Sequence, residues 1–178
     1  MASQDDILYE FYNNDGILST DELKKISKIP KEESIRSISK TLNSLIHKKL
    51  IGKVKGPKNS TIYFLTNPYY FICDDDERIL HEKNHCLNVI KKVMEHHDGC
   101  IVYERKNMVI LKFNATYQIR NHLKLIKSVI DTFGNCLKYV LHDNYIIITG
   151  KTHLEIDMFN INLFLNEKKE HMFQKSLK

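Results

Sequence analysis

Apolar positions recur at helical spacing through the first 50 residues. Ile7, Leu8, Phe11 and Tyr12 share one face of a helix expected over 5–14, which the run Asn13-Asn14-Asp15-Gly16 ends. Ile17-Leu18 is a short apolar bridge. A second helix begins at Thr20 and turns Leu23, Ile26 and Ile29 inward. A third follows Pro30, with Ile35, Ile38, Leu42, Leu45 and Ile46 stacked on one side. The pattern then becomes extended. Residues 50–54 and 61–65 read as two strands around the basic turn Lys55-Gly56-Pro57-Lys58-Asn59.

Beyond Pro68 the helical period returns over 76–96, with Ile79, Leu80, Leu87, Ile90, Val93 and Met94 as its apolar set. That helix is long enough to connect two domains. Two strands are expected at 100–104 and 108–113. A helix over 116–133 buries Ile119, Leu123, Ile126, Val129, Ile130 and Phe133, and Gly134 stops it. A second hairpin pairs 137–141 with 145–149 around His142-Asp143-Asn144, and a last helix is expected over 153–170. This order suits an antiparallel sheet with helices on one face.

The helix ends carry matching chemistry. Ser19 and Glu22 fit the S-x-x-E capping box. Pro30 suits a first helical turn, and Glu32, Glu33 and the run Asp74-Asp75-Asp76-Glu77 place negative charge where the helix dipole favours it. The aromatics Tyr69-Tyr70-Phe71 are expected to pack against the N-terminal helices or across a dimer.

Charge sharpens the picture. The net charge of +5 over 178 residues is mild, but residues 30–60 hold eight Lys or Arg against two Glu. A local basic surface is the electrostatic footprint of nucleic-acid binding. The polar side of the third helix offers Arg36, Ser37, Lys40, Thr41, Asn43, Ser44 and His47, and the hairpin offers Lys53, Lys55 and Lys58. An arginine there suits guanine and Asn43 suits adenine, while the hairpin lysines suit phosphates. No apolar run approaches the roughly 20 residues of a membrane span, and the N-terminus has no signal-peptide pattern. The expectation is a soluble intracellular protein, cytoplasmic or nuclear, with no membrane partner.

The stretch Leu42-x-x-Leu45-x-x-Lys48-Lys49-Leu50-Ile51-x-Lys53-Val54-Lys55, followed by Ile62-Tyr63-Phe64-Leu65, resembles the winged helix-turn-helix superfamily. It is similar to winged helices of RNA polymerase III initiation subunits and their archaeal transcription-factor relatives, and to MarR-like regulators. The resemblance covers roughly residues 5–68. It implies that the third helix enters the major groove of double-stranded DNA and that the hairpin is the wing. Winged helices that bind Z-form nucleic acid are further relatives. Where their helix presents an Asn and a Tyr, this chain offers Ser39 and Asn43, and their Pro-Pro-x-Trp wing is replaced by Asn59-Ser60-Thr61-Ile62-Tyr63. Other winged helices bind proteins through the same face.

Catalysis and metal binding compete with this reading. His81-Glu82-Lys83-Asn84-His85 matches H-E-x-x-H, whose histidines share a helical face and can ligate zinc. His81, His85 and Cys86 are the metal candidates, with His96, His97 and Cys100 nearby in sequence. The positions between the two histidines are charged or amide-bearing, unlike the helix of a zinc peptidase, and no third-ligand motif follows. The four cysteines include no C-x-x-C pair and are read as free thiols, some buried. No Gly-rich phosphate loop or G-x-S-x-G elbow occurs. The chain is therefore read as no enzyme, with no cofactor.

Together these expectations give an α+β chain. Residues 1–72 form a winged helix-turn-helix DNA-binding domain and 73–98 a connecting helix. Residues 99–178 form a small antiparallel-sheet α/β domain of ββαββα order for dimerisation or partner binding, similar in element order to roadblock-type modules. The function expected is transcription regulation or initiation, as a homodimer or with a transcription-complex partner. The alternatives are a protein-interaction adaptor and a metal-responsive regulator.

Overall fold

A computed structural model describes residues 2–26, 35–56, 60–95, 100–105, 108–113, 116–134 and 136–150. The fold is α+β, with two antiparallel sheets. The N-terminal part runs α1 (Gln4–Asn13), β1 (Ile17–Ser19), α2 (Thr20–Lys25), α3 (Ile35–His47), β2 (Ile51–Lys55) and β3 (Thr61–Leu65). The rest runs α4 (Asp75–Glu95), β4 (Cys100–Arg105), β5 (Met108–Lys112), α5 (Thr116–Thr132), β6 (Lys138–His142) and β7 (Tyr145–Thr149). Pro30, Glu32, Glu33, Lys58, His96, His97 and the helix expected over 153–170 lie outside the described residues.

Local chemistry fixes the helix starts. Ser19 caps α2: its hydroxyl accepts from the Glu22 amide at 3.2 Å, and Glu22 Oε2 accepts from the Ser19 amide at 2.7 Å. The same box opens α1, with Asp6 answering Ser3. A capping box satisfies two orphan amides of a first turn reciprocally. The α3 helix ends with Lys49 at φ 58° and the Leu50 amide bonded back to the Leu45 carbonyl at 3.0 Å. This left-handed C-terminal turn is usually made by glycine.

The first sheet has the order β1-β3-β2 and is covered on both faces. Ile51 and Leu65 pack with Ile7, Phe11, Leu18, Leu23, Leu42 and Leu45 on the side of α1–α3. Ile17, Val54, Ile62 and Phe64 point the other way, into a core shared with α4 and α5. The second sheet, β4-β5-β7-β6, adds Val109, Leu111, Ile146 and Ile148 to that same core. Helices α4 and α5 thus form a layer between the two sheets. Phe133, just past α5, stacks on Phe64 with centroids 5.5 Å apart. The helix expected to connect two domains is embedded in this core through Cys86, Leu87, Val89, Ile90, Val93 and Met94.

Some predicted core positions differ. Tyr12 is half exposed, because the apolar face of α1 narrows to Ile7 and Phe11. Ile79 is exposed as well, because the buried stripe of α4 begins only at His85.

Candidate functional site

The sequence-predicted site residues separate into two groups on α3. Arg36, Lys40, Asn43 and His47 are all exposed, at steps of 4, 3 and 4. That spacing makes one stripe along the helix, roughly 16 Å long at 1.5 Å per residue. The described part of α3 contains no acidic residue. Thr41 and Ser44 do not join the stripe. Thr41 is buried, and its hydroxyl donates to the Ser37 carbonyl at 3.3 Å. Ser44 is half buried and accepts from Gln4 Nε2 of α1 at 2.9 Å. Ser37 is half buried beside them. The expectation that all seven polar α3 residues share an open face is corrected for these three. Thr41 stands three positions after Ile38 and four before Leu45, so helical geometry carries it to the packed side.

The β2–β3 hairpin adds Lys53 and Lys55, both exposed. In the antiparallel register Lys53 faces Tyr63 and Lys55 faces Thr61. Side chains alternate across a strand, so both lysines lie on the same face as Ile51, the side on which α3 packs. Thr20 anchors this hairpin to α2: its hydroxyl donates to the Thr61 carbonyl at 3.0 Å and accepts from the Thr61 amide at 3.1 Å. The Gly56 amide donates to the Ser60 carbonyl at 2.9 Å near the hairpin tip. Among the described residues, no carboxylate pairs with Arg36, Lys40, Lys53 or Lys55. Lys48 is tied to the Gln4 side chain.

The H-E-x-x-H residues have other partners. His85 is buried, and its Nε2 lies 2.8 Å from the Leu65 carbonyl. A carbonyl only accepts, so Nε2 carries the proton. Burial pushes the His85 imidazole below its ordinary range, partly offset by the hydrogen bond to Leu65. His81 lies 3.7 Å from Glu77, and both histidine rings meet the ring of Tyr69. Glu82 sits at the edge of Arg78, 4.0 Å away. Cys86 is buried in the core of α4 and α5, and Cys136 is partly buried against the same core. Among the described residues, no three His, Cys, Asp or Glu side chains gather at a point where a metal ion could sit.

Sequence reasoning missed two features. Lys92 of α4 donates to Glu22 Oε1 at 2.6 Å, clamping the capping residue of α2 to a helix 70 positions away. Burial raises the Glu22 carboxyl, but the hydrogen bonds from Lys92 and Ser19, with the Lys92 charge, outweigh it and hold the group below its ordinary range. Between α1 and α4 lies a cavity of about 760 Å³, bordered by Tyr12, Tyr69, Phe71, His85 and Lys91. At its rim Tyr70 and Phe71 are each about two-thirds exposed and pack edge to face. The three consecutive aromatics therefore divide: Tyr69 packs inward, and its two neighbours remain open.

Comparison with models of known families, with curated proteins and with solved structures finds no match. Among the described residues, no helix is long and apolar enough to cross a membrane.

Proposed function

We propose that this chain is a winged helix-turn-helix protein that binds double-stranded DNA and acts in transcription regulation or initiation. In this reading α3 is the recognition helix and the β2–β3 hairpin is the wing. The observation that carries it is the single exposed stripe Arg36–Lys40–Asn43–His47, continued by Lys53 and Lys55 on the same side of the sheet. A helix of about 10–12 Å diameter fills a major groove. Arg36 and Asn43 then carry the groups suited to base edges, and Lys40, Lys53 and Lys55 the charges suited to phosphates. The packed layer of α4, α5 and the second sheet holds this surface rigid and is the part assigned to pairing or partner contact.

The test is a gel-shift titration with mixed-sequence duplex at low salt. Retardation that disappears as salt rises supports the reading, and no retardation at the lowest salt overturns it.

A second reading draws on a different surface. An adaptor that docks on a nucleic-acid assembly would use Tyr12, Tyr70 and Phe71, which are exposed together beside the α1–α4 cavity. Binding to a partner protein that is lost on changing Tyr70 and Phe71 to Ser, with duplex binding absent, would favour it.

A further inference from the structure

The cavity between α1 and α4 has a polar floor. His85 borders it and is only 2% exposed. Its Nε2 is committed to the Leu65 carbonyl, so the polar atom it has left is Nδ1, which carries a lone pair and only accepts. Among the described residues nothing donates to that nitrogen, and the atom is not sealed from solvent. A buried acceptor in want of a donor marks a place for a water or a ligand. We propose that this cavity is a binding site for a small, uncharged, planar nitrogen heterocycle of the aminopurine kind, whose amino group donates to His85 while its ring stacks on the aromatic border.

Size and lining narrow the ligand. A volume of about 760 Å³ lies within the range of small-molecule pockets. Three aromatic rings stand at the border. Tyr69 is held edge-on to His85, with centroids 6.2 Å apart, and Tyr12 and Phe71 are each more than half exposed. Open aromatic faces of this kind gain by stacking against another flat ring. Gly16 keeps the wall beside His85 bare, since a β-carbon there would approach the imidazole to 3.0 Å.

Asn88 supplies a matching edge. It follows His85 by three positions on α4, so both lie on one helical face, and it is exposed at the cavity. A primary amide offers a donor and an acceptor side by side. An aminopurine presents the complement, an exocyclic amino group beside a ring nitrogen, and amide side chains pair with adenine in this way. The amino group has two hydrogens, one for the Asn88 oxygen and one for His85 Nδ1. Charge sets the last limit. Asp15 and Glu95 border the cavity against Lys91 and Lys92, and Lys92 is already held by Glu22. Neither sign prevails, so the site favours a neutral ring over an aromatic carboxylate. No residue of α3 or of the hairpin strands takes part, and the site does not depend on the duplex-binding reading.

The experiment titrates the full chain, without nucleic acid, with adenine and with adenosine, and uses benzoate and indole as controls. The expected result is saturable binding of adenine or adenosine, one molecule per chain, with a raised melting temperature and a shift of the His85 Nδ1 resonance in imidazole nitrogen NMR spectra. The controls bind more weakly by roughly tenfold or more, the difference expected for lost hydrogen bonds. Asn88→Ala and Phe71→Ala, both at exposed positions, each lower the affinity by roughly tenfold and leave the melting temperature of the free protein nearly unchanged. No saturation by adenine or adenosine up to about 10 mM, binding that leaves the His85 resonance unmoved, or binding that both variants preserve overturns the proposal. The His85 resonance of the natural chain decides the matter even if a variant does not fold.

Discussion

His85 Nε2 donates to the Leu65 carbonyl at 2.8 Å, so a side chain from the middle of α4 terminates the backbone of β3. The bond joins the sheet that carries the candidate interface to the helical layer behind it. Its ring also packs on Phe133 and lies against Gly16, where a β-carbon would approach His85 to 3.0 Å.

Stability should therefore depend on the protonation of His85. Burial lowers its folded-state pKa, so the unfolded chain, titrating near about 6.5, binds the proton more readily. The contribution is present above the unfolded value and is lost as pH falls below it toward the folded value. Thermal melts over this range should show falling melting temperature with falling pH, and His85→Gln should flatten that dependence while lowering stability at neutral pH.

Glu22 serves two elements at once, capping α2 and holding Lys92. Ser19→Ala should cost about 1 kcal/mol, the usual loss for an N-cap, measured by denaturant unfolding. Lys92→Ala should cost less than that, because the pair is partly solvated, and its effect should shrink with added salt.

Gly52 is required by packing. A β-carbon there would meet the Phe64 ring at 2.5 Å, and that ring is buried and stacked on Phe133. Gly52→Ala should destabilise by about 1–3 kcal/mol, the range for overpacking a filled core. Gly134→Ala serves as the contrast: its site is open, so its cost comes only from the positive φ of 66°.

The division of α3 into an open stripe and a packed flank gives a sharper expectation. Lys40→Ala should weaken duplex binding and leave the melting temperature nearly unchanged. Thr41→Val should leave duplex affinity unchanged, because the Thr41 hydroxyl is spent on the Ser37 carbonyl. Parallel gel-shift and thermal measurements on the two variants separate these outcomes.

Much of the element order was legible because its signals are local. The Ser19–Glu22 box, the stop at Gly134 and the 3.6-residue spacing of α3 and α5 depend only on near neighbours. Thr41 reads as part of the open side although its distances to Ile38 and Leu45 carry it to the apolar side, because a threonine read by its hydroxyl alone counts as polar. The two-sided covering of the first sheet left a trace in Ile62-Tyr63-Phe64-Leu65. That run lacks the polar alternation of a strand with one wet face. The Lys92–Glu22 clamp and the Gln4–Ser44 contact left no such trace. Each joins residues at least 40 positions apart through packing that no single window contains.

The most direct test of the duplex-binding account is the salt dependence of affinity for one fixed duplex. It compares the natural chain with the variant Arg36→Ala, Lys40→Ala, Lys53→Ala, Lys55→Ala. Each phosphate neutralised contributes about 0.9 to the slope of log affinity against log salt. The account predicts binding by the natural chain and, with the fold intact by thermal melt, a slope shallower by roughly two to four in the variant. Equal slopes, or no binding by the natural chain at the lowest salt, would contradict it.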